Sequence, residues 1–242
     1  MIRRLLAPAA LSLVLPLAGC AGDDDETLTV LAAASLTDVF EQLASSFEEE
    51  HGVEVELSFG SSTELAGQAA DGAPGDVLAT ADPIAMEVAE DAGVVGHVRQ
   101  FTANRLVIVT TPEAEVDGWD DLADVPWVRC ADEAPCGRVA QALLEDQDVG
   151  SEPASLEEDV RAVLDRVVSG EATAGLVYAT DARAAGEAVR TVQVPSAGRH
   201  LTSYLIGTLD QAEDADLALA WVELLTSEPG RAALRDAGFV MP

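Results

Sequence analysis

Apolar residues along the chain fall in short runs separated by polar turns, and the runs alternate between two periods. Residues 28–33 (LTVLAA) are unbroken and short, as in a strand buried on both faces. Apolar positions 36, 39, 40, 43, 44 and 47 then repeat at helical spacing across 36–50, and Gly52 ends the pattern. Val53, Val55, Leu57 and Phe59 alternate as in a half-buried strand. A tight polar turn, Gly60-Ser61-Ser62-Thr63, leads into a helical stretch at 64–70. Residues 76–80 predict a strand and 83–92 a helix. Strand and helix in turn predict an α/β sheet with mostly parallel strands.

Residues 105–111 (RLVIVTT) form the most strand-like run and stop at Pro112. After an irregular acidic stretch a second alternation begins at Trp127. It predicts helices at 138–144 and 156–169, a strand at 174–178, a short helix near 181–186 and a strand at 189–194. Residues 195–200 read as a loop, 201–209 as a strand, 214–225 as a helix and 229–237 as a final turn or two. No internal repeat and no long linker separates the two rhythms. The expectation is therefore two α/β lobes joined by strand crossovers near Arg105 and Leu201, with 27–104 plus 201–242 as lobe I and 105–200 as lobe II.

The first twenty residues have another character. Arg3 and Arg4 precede an apolar run at 5–17, which is shorter than the roughly 20 residues of a membrane-spanning helix. Leu17-Ala18-Gly19-Cys20 resembles a bacterial lipobox, in which Cys20 becomes the lipidated first residue. This reading makes 1–19 a signal peptide and 20–26 a lipid-anchored acidic tether. It places the protein on the outer face of the cell membrane. A plain secretory signal with an incidental Cys is the alternative.

Composition removes several function classes. There are 44 acidic side chains against 13 basic ones, all Arg, and the formal net charge is −31. Such a chain repels nucleic acid and anionic membrane surfaces. The absence of Lys excludes a P-loop, a Schiff-base Lys and a Ser-Lys dyad. Three Cys and three His do not fill a zinc site of the repeated type. No G-x-S-x-G or H-E-x-x-H occurs, and His51, His97 and His200 sit in unrelated contexts. Asp120-Asp121 and Glu157-Glu158-Asp159 read as a solvated turn and a helix start. The rival enzyme reading is a secreted hydrolase using Ser35 or Ser62, for which the sequence offers no base.

Ser35 and Ser62 each follow a strand and open a helix. The ordinary reading of each is an N-cap. In a parallel sheet, however, such junctions lie at the carboxyl ends of the strands, where ligands bind. A helix N-terminus there presents free N–H groups and about half a positive charge. A small oxyanion can be held by hydroxyls and N–H groups alone, in keeping with so few cationic side chains.

Several motifs carry a family resemblance. These are Val-Leu-Ala-Ala-Ala-Ser-Leu-Thr-Asp at 30–38, Ser-Phe-Gly-Ser-Ser-Thr-Glu-Leu-Ala-Gly-Gln at 58–68 and Gly-Ala-Pro-Gly-Asp-Val-Leu-Ala-Thr-Ala-Asp at 72–82. Asn104-Arg105-Leu106-Val107-Ile108-Val109, Glu158-Asp159-Val160-Arg161 and Gly175-Leu176-Val177-Tyr178-Ala179-Thr180-Asp181-Ala182 follow in order. Over residues 28–240 the set resembles the molybdate-binding proteins of bacterial ABC uptake systems. The resemblance implies a type II periplasmic-binding-protein fold, two α/β lobes closing over one tetrahedral oxyanion. It implies a receptor, not an enzyme, that takes molybdate or tungstate to an ABC permease and ATPase. It implies a monomer that needs no cofactor and no cation ligands, since molybdenum is bound as the oxyanion. Receptors for sulfate or another small anion on this fold are the alternative.

The resemblance also carries residues. Ser35 and Ser62 match serines that hold the anion by hydroxyl and N–H. Pro135-Cys136-Gly137 falls where the family usually has Pro-Ala-Gly, so Cys136 would donate its N–H. Val160 matches an N–H donor at a helix start, and Tyr178 a tyrosine reaching in from the second lobe. Two caps compete for the Val160 helix: a capping box at Ser155-x-x-Glu158, or Asp159, which leaves Val160 at the first helical position with a free N–H. The resemblance favours Asp159. Cys130 and Cys136, the two thiols besides Cys20, share one loop of an exported chain and are expected to form a disulfide, with two free thiols as the alternative. A site built of donors favours fully ionised dianions. The adverse net charge predicts faster capture as salt rises.

Overall fold

The computed structural model describes residues 26–242. The expected signal peptide at 1–19, the expected lipidation site Cys20 and all but the last residue of the expected 20–26 tether lie outside the described residues.

Lobe I begins with β1 (Thr27–Ala33), a 3-10 turn (Ala34–Leu36), α1 (Thr37–His51), β2 (Glu54–Gly60), α2 (Ser62–Ala70), β3 (Val77–Thr80), α3 (Pro83–Asp91) and β4 (Val95–Asn104). The chain enters a second sheet at β5 (Leu106–Thr110). It continues through β6 (Trp127–Cys130), α4 (Pro135–Asp146), β7 (Ser155–Glu157), α5 (Val160–Val168), β8 (Ala174–Tyr178), α6 (Ala179–Ala185) and β9 (Arg190–Val192). It returns as β10 (Thr202–Leu209), α7 (Ala215–Thr226) and α8 (Glu228–Ala237). The sheet orders are β2-β1-β3-β10-β4 and β7-β6-β8-β5-β9.

The apolar pattern has a direct structural cause. Successive side chains of a strand point to opposite faces. In β1, Val30 and Ala32 join the core beneath α1 and α7, while Leu31 joins the one beneath α2 and α3. Both faces are covered, so the run is unbroken. β2 lies at the sheet edge with one face covered: Val55, Leu57 and Phe59 pack on the core and the residues between them are exposed. Gly52 closes α1 at φ 70°, a left-handed conformation open to glycine at little cost.

Three expectations need correction. The strands are not mostly parallel: β1 pairs parallel with β2 and β3, and β6 with β7 and β8, whereas every pair of β10 and β5 is antiparallel. These are the two strands that arrive from the other lobe, so the crossovers set their direction. Second, the predicted helix at 156–169 begins only at Val160, because Ser155–Glu157 pairs with β6 as an edge strand. Its exposed Leu156 falls by coincidence on the helical spacing. Third, β4 went unpredicted, for its first half is exposed and mixes Val95 and Val98 with His97, Arg99 and Gln100.

The cores differ in kind. Lobe I gathers aromatic rings: Trp221 packs edge-on against Phe40 and Phe47 with centroids 5.5 and 5.3 Å apart, and Tyr204 against Phe239 at 5.4 Å. Lobe II is built mainly of Val, Leu, Ile and Ala around Trp127.

Candidate functional site

Four strand-to-helix junctions meet between the lobes. β1 leads through its 3-10 turn into α1, β2 through Ser61 into α2, β6 through residues 131–134 into α4, and β7 through Glu158 and Asp159 into α5. All lie at the carboxyl ends of parallel strands. Together they wall a small cavity formed by residues 33–35, 60–62 and 81 of lobe I and 134–136, 159, 160 and 178 of lobe II. All five site residues expected from the sequence, Ser35, Ser62, Cys136, Val160 and Tyr178, line this one cavity. It leaves about 20 Å³ for the centre of a water molecule. With a water radius of about 1.4 Å added back, that is a hollow roughly 3 Å in radius. One water or one small ion fits, whereas pockets for drug-sized organic ligands start at about 300 Å³.

The helix starts facing this hollow are short of caps. No side chain caps the 3-10 turn after Ala33, α2 after Ser61 or α4 after Ala134. α5 is capped by Asp159, whose Oδ1 accepts from Arg161 N at 2.8 Å and Ala162 N at 3.0 Å. That cap serves the second and third positions and leaves the Val160 N–H at the first. The competing capping box does not form, since Ser155 lies in β7 and its hydroxyl meets Glu157 Oε1 at 2.5 Å.

Neither serine is an N-cap, which corrects the ordinary reading of both. Ser35 lies inside the 3-10 turn, with its Oγ 2.6 Å from Tyr204 Oη. Ser62 is the first residue of α2, and its Oγ accepts from Ala81 N at 3.0 Å. The Tyr178 hydroxyl is buried and has no hydrogen-bond partner among the described residues. Burial holds its pKa well above the usual tyrosine value, so it keeps its proton. An unpaired buried polar group costs about 1–3 kcal/mol, which makes Tyr178 the clearest sign that something else belongs in the hollow.

Cys136, the second residue of α4, is joined to Cys130 at the end of β6 by a disulfide, with Cα atoms 5.7 Å apart. The disulfide closes the loop 131–135 against the helix start. Gly137 makes that closure possible: a Cβ there would lie 1.8 Å from the Ala131 carbonyl oxygen.

Two arginines of lobe II reach across to lobe I. Arg138 Nε meets Asp82 Oδ2 at 2.6 Å, while Asp82 Oδ1 caps α3 through Ala85 N. Thr63 Oγ1 adds a bond to Glu133 O at 2.7 Å. Arg161 pairs with Asp38 of lobe I and lies 3.0 Å from Asp181 Oδ1 of its own lobe. Burial pushes the Asp181 carboxyl up to about 7, against the opposing pull of Arg161. Both arginines are matched by carboxylates and neither lines the cavity. Asp159 is the one carboxylate on its wall. Among the described residues no group of three or more His, Cys, Asp or Glu is placed to hold a metal ion.

Sequence reasoning missed Tyr204, Asn104 as a contact, and the Asp82–Arg138 and Asp38–Arg161 pairs. Asp82-Pro83 carried a local signal, a capping residue followed by proline at the helix start. The others meet only through the fold.

A family model for bacterial extracellular solute-binding proteins matches residues 28–240. The molybdate-binding protein ModA of Mycobacterium tuberculosis is 34% identical over 222 residues, covering 89% of this chain and 85% of that protein. ModA of Escherichia coli K12 is 35% identical over 193 residues, 74% of each chain. Among solved structures, the periplasmic molybdate-binding protein of Azotobacter vinelandii superposes with a TM-score of 0.78 at 20% identity, over 89% of this chain and 99% of that one.

Proposed function

The chain belongs to the bacterial extracellular solute-binding proteins, within their molybdate-binding family, and from that premise we propose that it captures molybdate or tungstate outside the cytoplasm and hands it to an ABC permease. The observation that carries the reading is Tyr178, which lines an ion-sized hollow and whose buried hydroxyl has no hydrogen-bond partner among the described residues. Around it the Ser35 and Ser62 hydroxyls and the N–H groups of Cys136 and Val160 supply donors from both lobes. An anion contacted from both sides favours the closed arrangement of the lobes, and that closed form is what a permease can distinguish. The protein acts as a monomeric receptor without turnover, and Cys20 carries its lipid anchor. A hydrolase reading finds none of His51, His97 and His200 on the cavity wall, and the one carboxylate there, Asp159, is engaged in capping α5.

The test is the thermal midpoint of the mature chain alone and with molybdate, tungstate, sulfate or phosphate. A ligand at a thousand times its Kd stabilises by about 4 kcal/mol, which for a chain of this size is a rise of very roughly 8–16 °C. Molybdate and tungstate are expected to give that rise, with sulfate and phosphate well below it. A rise with sulfate alone moves the assignment to sulfate. No rise with any of the four overturns it.

A further inference from the structure

The Cys130–Cys136 disulfide belongs to the cavity as well as to the core behind it. Cys136 lines the cavity wall, and so do Ala134 and Pro135 in the loop 131–135 that the bond closes. Both cysteines are buried, at 1% and 4% exposure, among the apolar side chains of lobe II. Lobe I covers the same loop from across the cleft, since Thr63 Oγ1 donates to Glu133 O and Arg138 of α4 pairs with Asp82. Arg138 donates to Glu133 O as well, so one carbonyl of the loop is held from both lobes. A thiol exchanges with a disulfide only by reaching one of its sulfurs. Two movements would open that approach: the lobes part, or the loop lifts from the start of α4. An anion held by the Cys136 N–H and by both lobes opposes each of them.

We infer that the disulfide is a redox gate coupled to the anion site: the bound oxyanion shields it from reduction by a dithiol, and its reduction loosens the hold on the anion. In the reaction one thiolate of the dithiol attacks a sulfur of the bond, and the other cysteine leaves as a thiolate and takes a proton. The second thiol of the reductant, as thiolate, then displaces the remaining cysteine, which takes a proton in turn. Cys130 and Cys136 together gain two electrons and two protons, and the dithiol ends as a cyclic disulfide. The loop then keeps only hydrogen bonds to hold the Cys136 N–H against the anion, among them Ala134 N to Ala131 O at 3.0 Å. Both effects are one coupling. The factor by which reduction lowers affinity equals the factor by which the bound anion displaces the redox equilibrium. The inference rests on the reading of the cavity as the oxyanion site and adds a control over it.

The experiment equilibrates the mature chain in buffers of reduced and oxidised dithiothreitol, with and without saturating tungstate, an anion that thiols do not readily reduce. Molybdate takes its place if tungstate does not bind. Alkylation and peptide mass at Cys130 and Cys136 give the fraction reduced. Saturating anion should raise the ratio of reduced to oxidised dithiothreitol needed for half-reduction by about tenfold or more, equivalent to about 30 mV. Calorimetric titration of the reduced chain should show affinity lower by the same factor, with circular dichroism establishing that it is folded. If the reduced chain does not hold its fold, the rate decides. Reduction of the oxidised chain without anion then runs faster than global unfolding, read by hydrogen exchange in β8, and the anion slows it about tenfold or more. A half-reduction ratio and a reduction rate both within about twofold of their anion-free values overturn the inference, as does reduction no faster than global unfolding. Failure of the oxidised chain to bind molybdate or tungstate overturns the functional reading itself.

Discussion

The two lobes face one cavity with the same topology and different chemistry. Lobe I offers hydroxyls, Ser35 and Ser62, whose protons rotate and whose oxygens each meet a second group: Tyr204 Oη beside one, the Ala81 N–H beside the other. Lobe II offers main-chain N–H groups at Cys136 and Val160, whose direction is set by the backbone. It pins that backbone twice, by the Cys130–Cys136 disulfide and by the Asp159 cap. Tyr178 is its one hydroxyl in the cavity wall. The cores follow the same division. The aromatic cluster of lobe I holds Tyr204 edge-on between Phe101 and Phe239, so the ring that meets the Ser35 hydroxyl is clamped. The difference teaches that a hydroxyl site is governed by its hydrogen-bond partners, whereas an N–H site is governed by backbone rigidity. Lobe II should therefore break by backbone substitutions that leave side-chain chemistry alone.

Gly137→Ala is the largest such break. The new Cβ falls on the Ala131 carbonyl, so the loop must move away from the start of α4. Overpacking of this kind costs up to about 3 kcal/mol, a fall in thermal midpoint of roughly 6–12 °C, and anion binding falls with it. A fully active, equally stable variant would mean that the loop is not held where the structure places it. Val160→Pro is the more selective probe. Proline fits the first position of a helix, and Asp159 before it is already extended, at φ −147° and ψ 178°. The substitution removes one N–H and exchanges one buried apolar side chain for another of similar size. Losing a hydrogen bond to an anion costs about 1.5–3 kcal/mol, so calorimetric titration with molybdate should show affinity falling about 10- to 150-fold. Unchanged affinity would remove Val160 from the site.

The disulfide comes next. Replacing Cys130 and Cys136 together with Ala keeps both N–H groups and releases the loop. For so short a loop the constraint is worth about 2 kcal/mol, or roughly 4–8 °C in thermal midpoint. If Cys136 donates through a braced backbone, molybdate affinity falls as well. If only the midpoint falls, the bond is a staple with no part in binding.

What the sequence disclosed follows the same division between side chain and backbone. Ser35 and Ser62 were visible because a serine between a strand and a helix has a chemistry of its own, although reading them as caps mistook where their hydroxyls point. Cys136 and Val160 are proposed as donors through the main chain, a role on which their side chains say nothing, and only the family resemblance singled them out. Tyr204 was invisible for another reason: it meets Ser35 across 169 positions of sequence. The fold followed a similar rule. Strands covered on both faces, such as β1 and β5, were plain in the apolar runs. The half-exposed β4 and the three-residue β7 lack enough buried positions to leave a period. The direction of β5 and β10 depends on a crossover between lobes, which no local pattern records.

The smallest expected effect tests whether the lobes are held together by charge or by the cavity between them. Arg161 reaches Asp38 across the cleft, but the Asp38 side chain is 55% exposed, while the second partner of Arg161, Asp181, is fully buried in its own lobe. The guanidinium therefore stays in place without Asp38. Exposed pairs contribute up to about 1 kcal/mol, and Asp38 also lies in the first turn of α1, where a negative charge adds some tenths. Asp38→Asn should lower the thermal midpoint by roughly 2–4 °C, the equivalent of about 1 kcal/mol, and change molybdate affinity by less than about fivefold. The difference from wild type should shrink as salt rises from millimolar to molar, because exposed charges are screened within about 3 Å at 1 M. The Arg138–Asp82 pair, with an Asp82 side chain only 8% exposed that also caps α3, should respond far less to salt. A loss of affinity beyond tenfold in Asp38→Asn would mean that closure hangs on this surface pair, and would shift weight from the donors in the cavity to the rim around it.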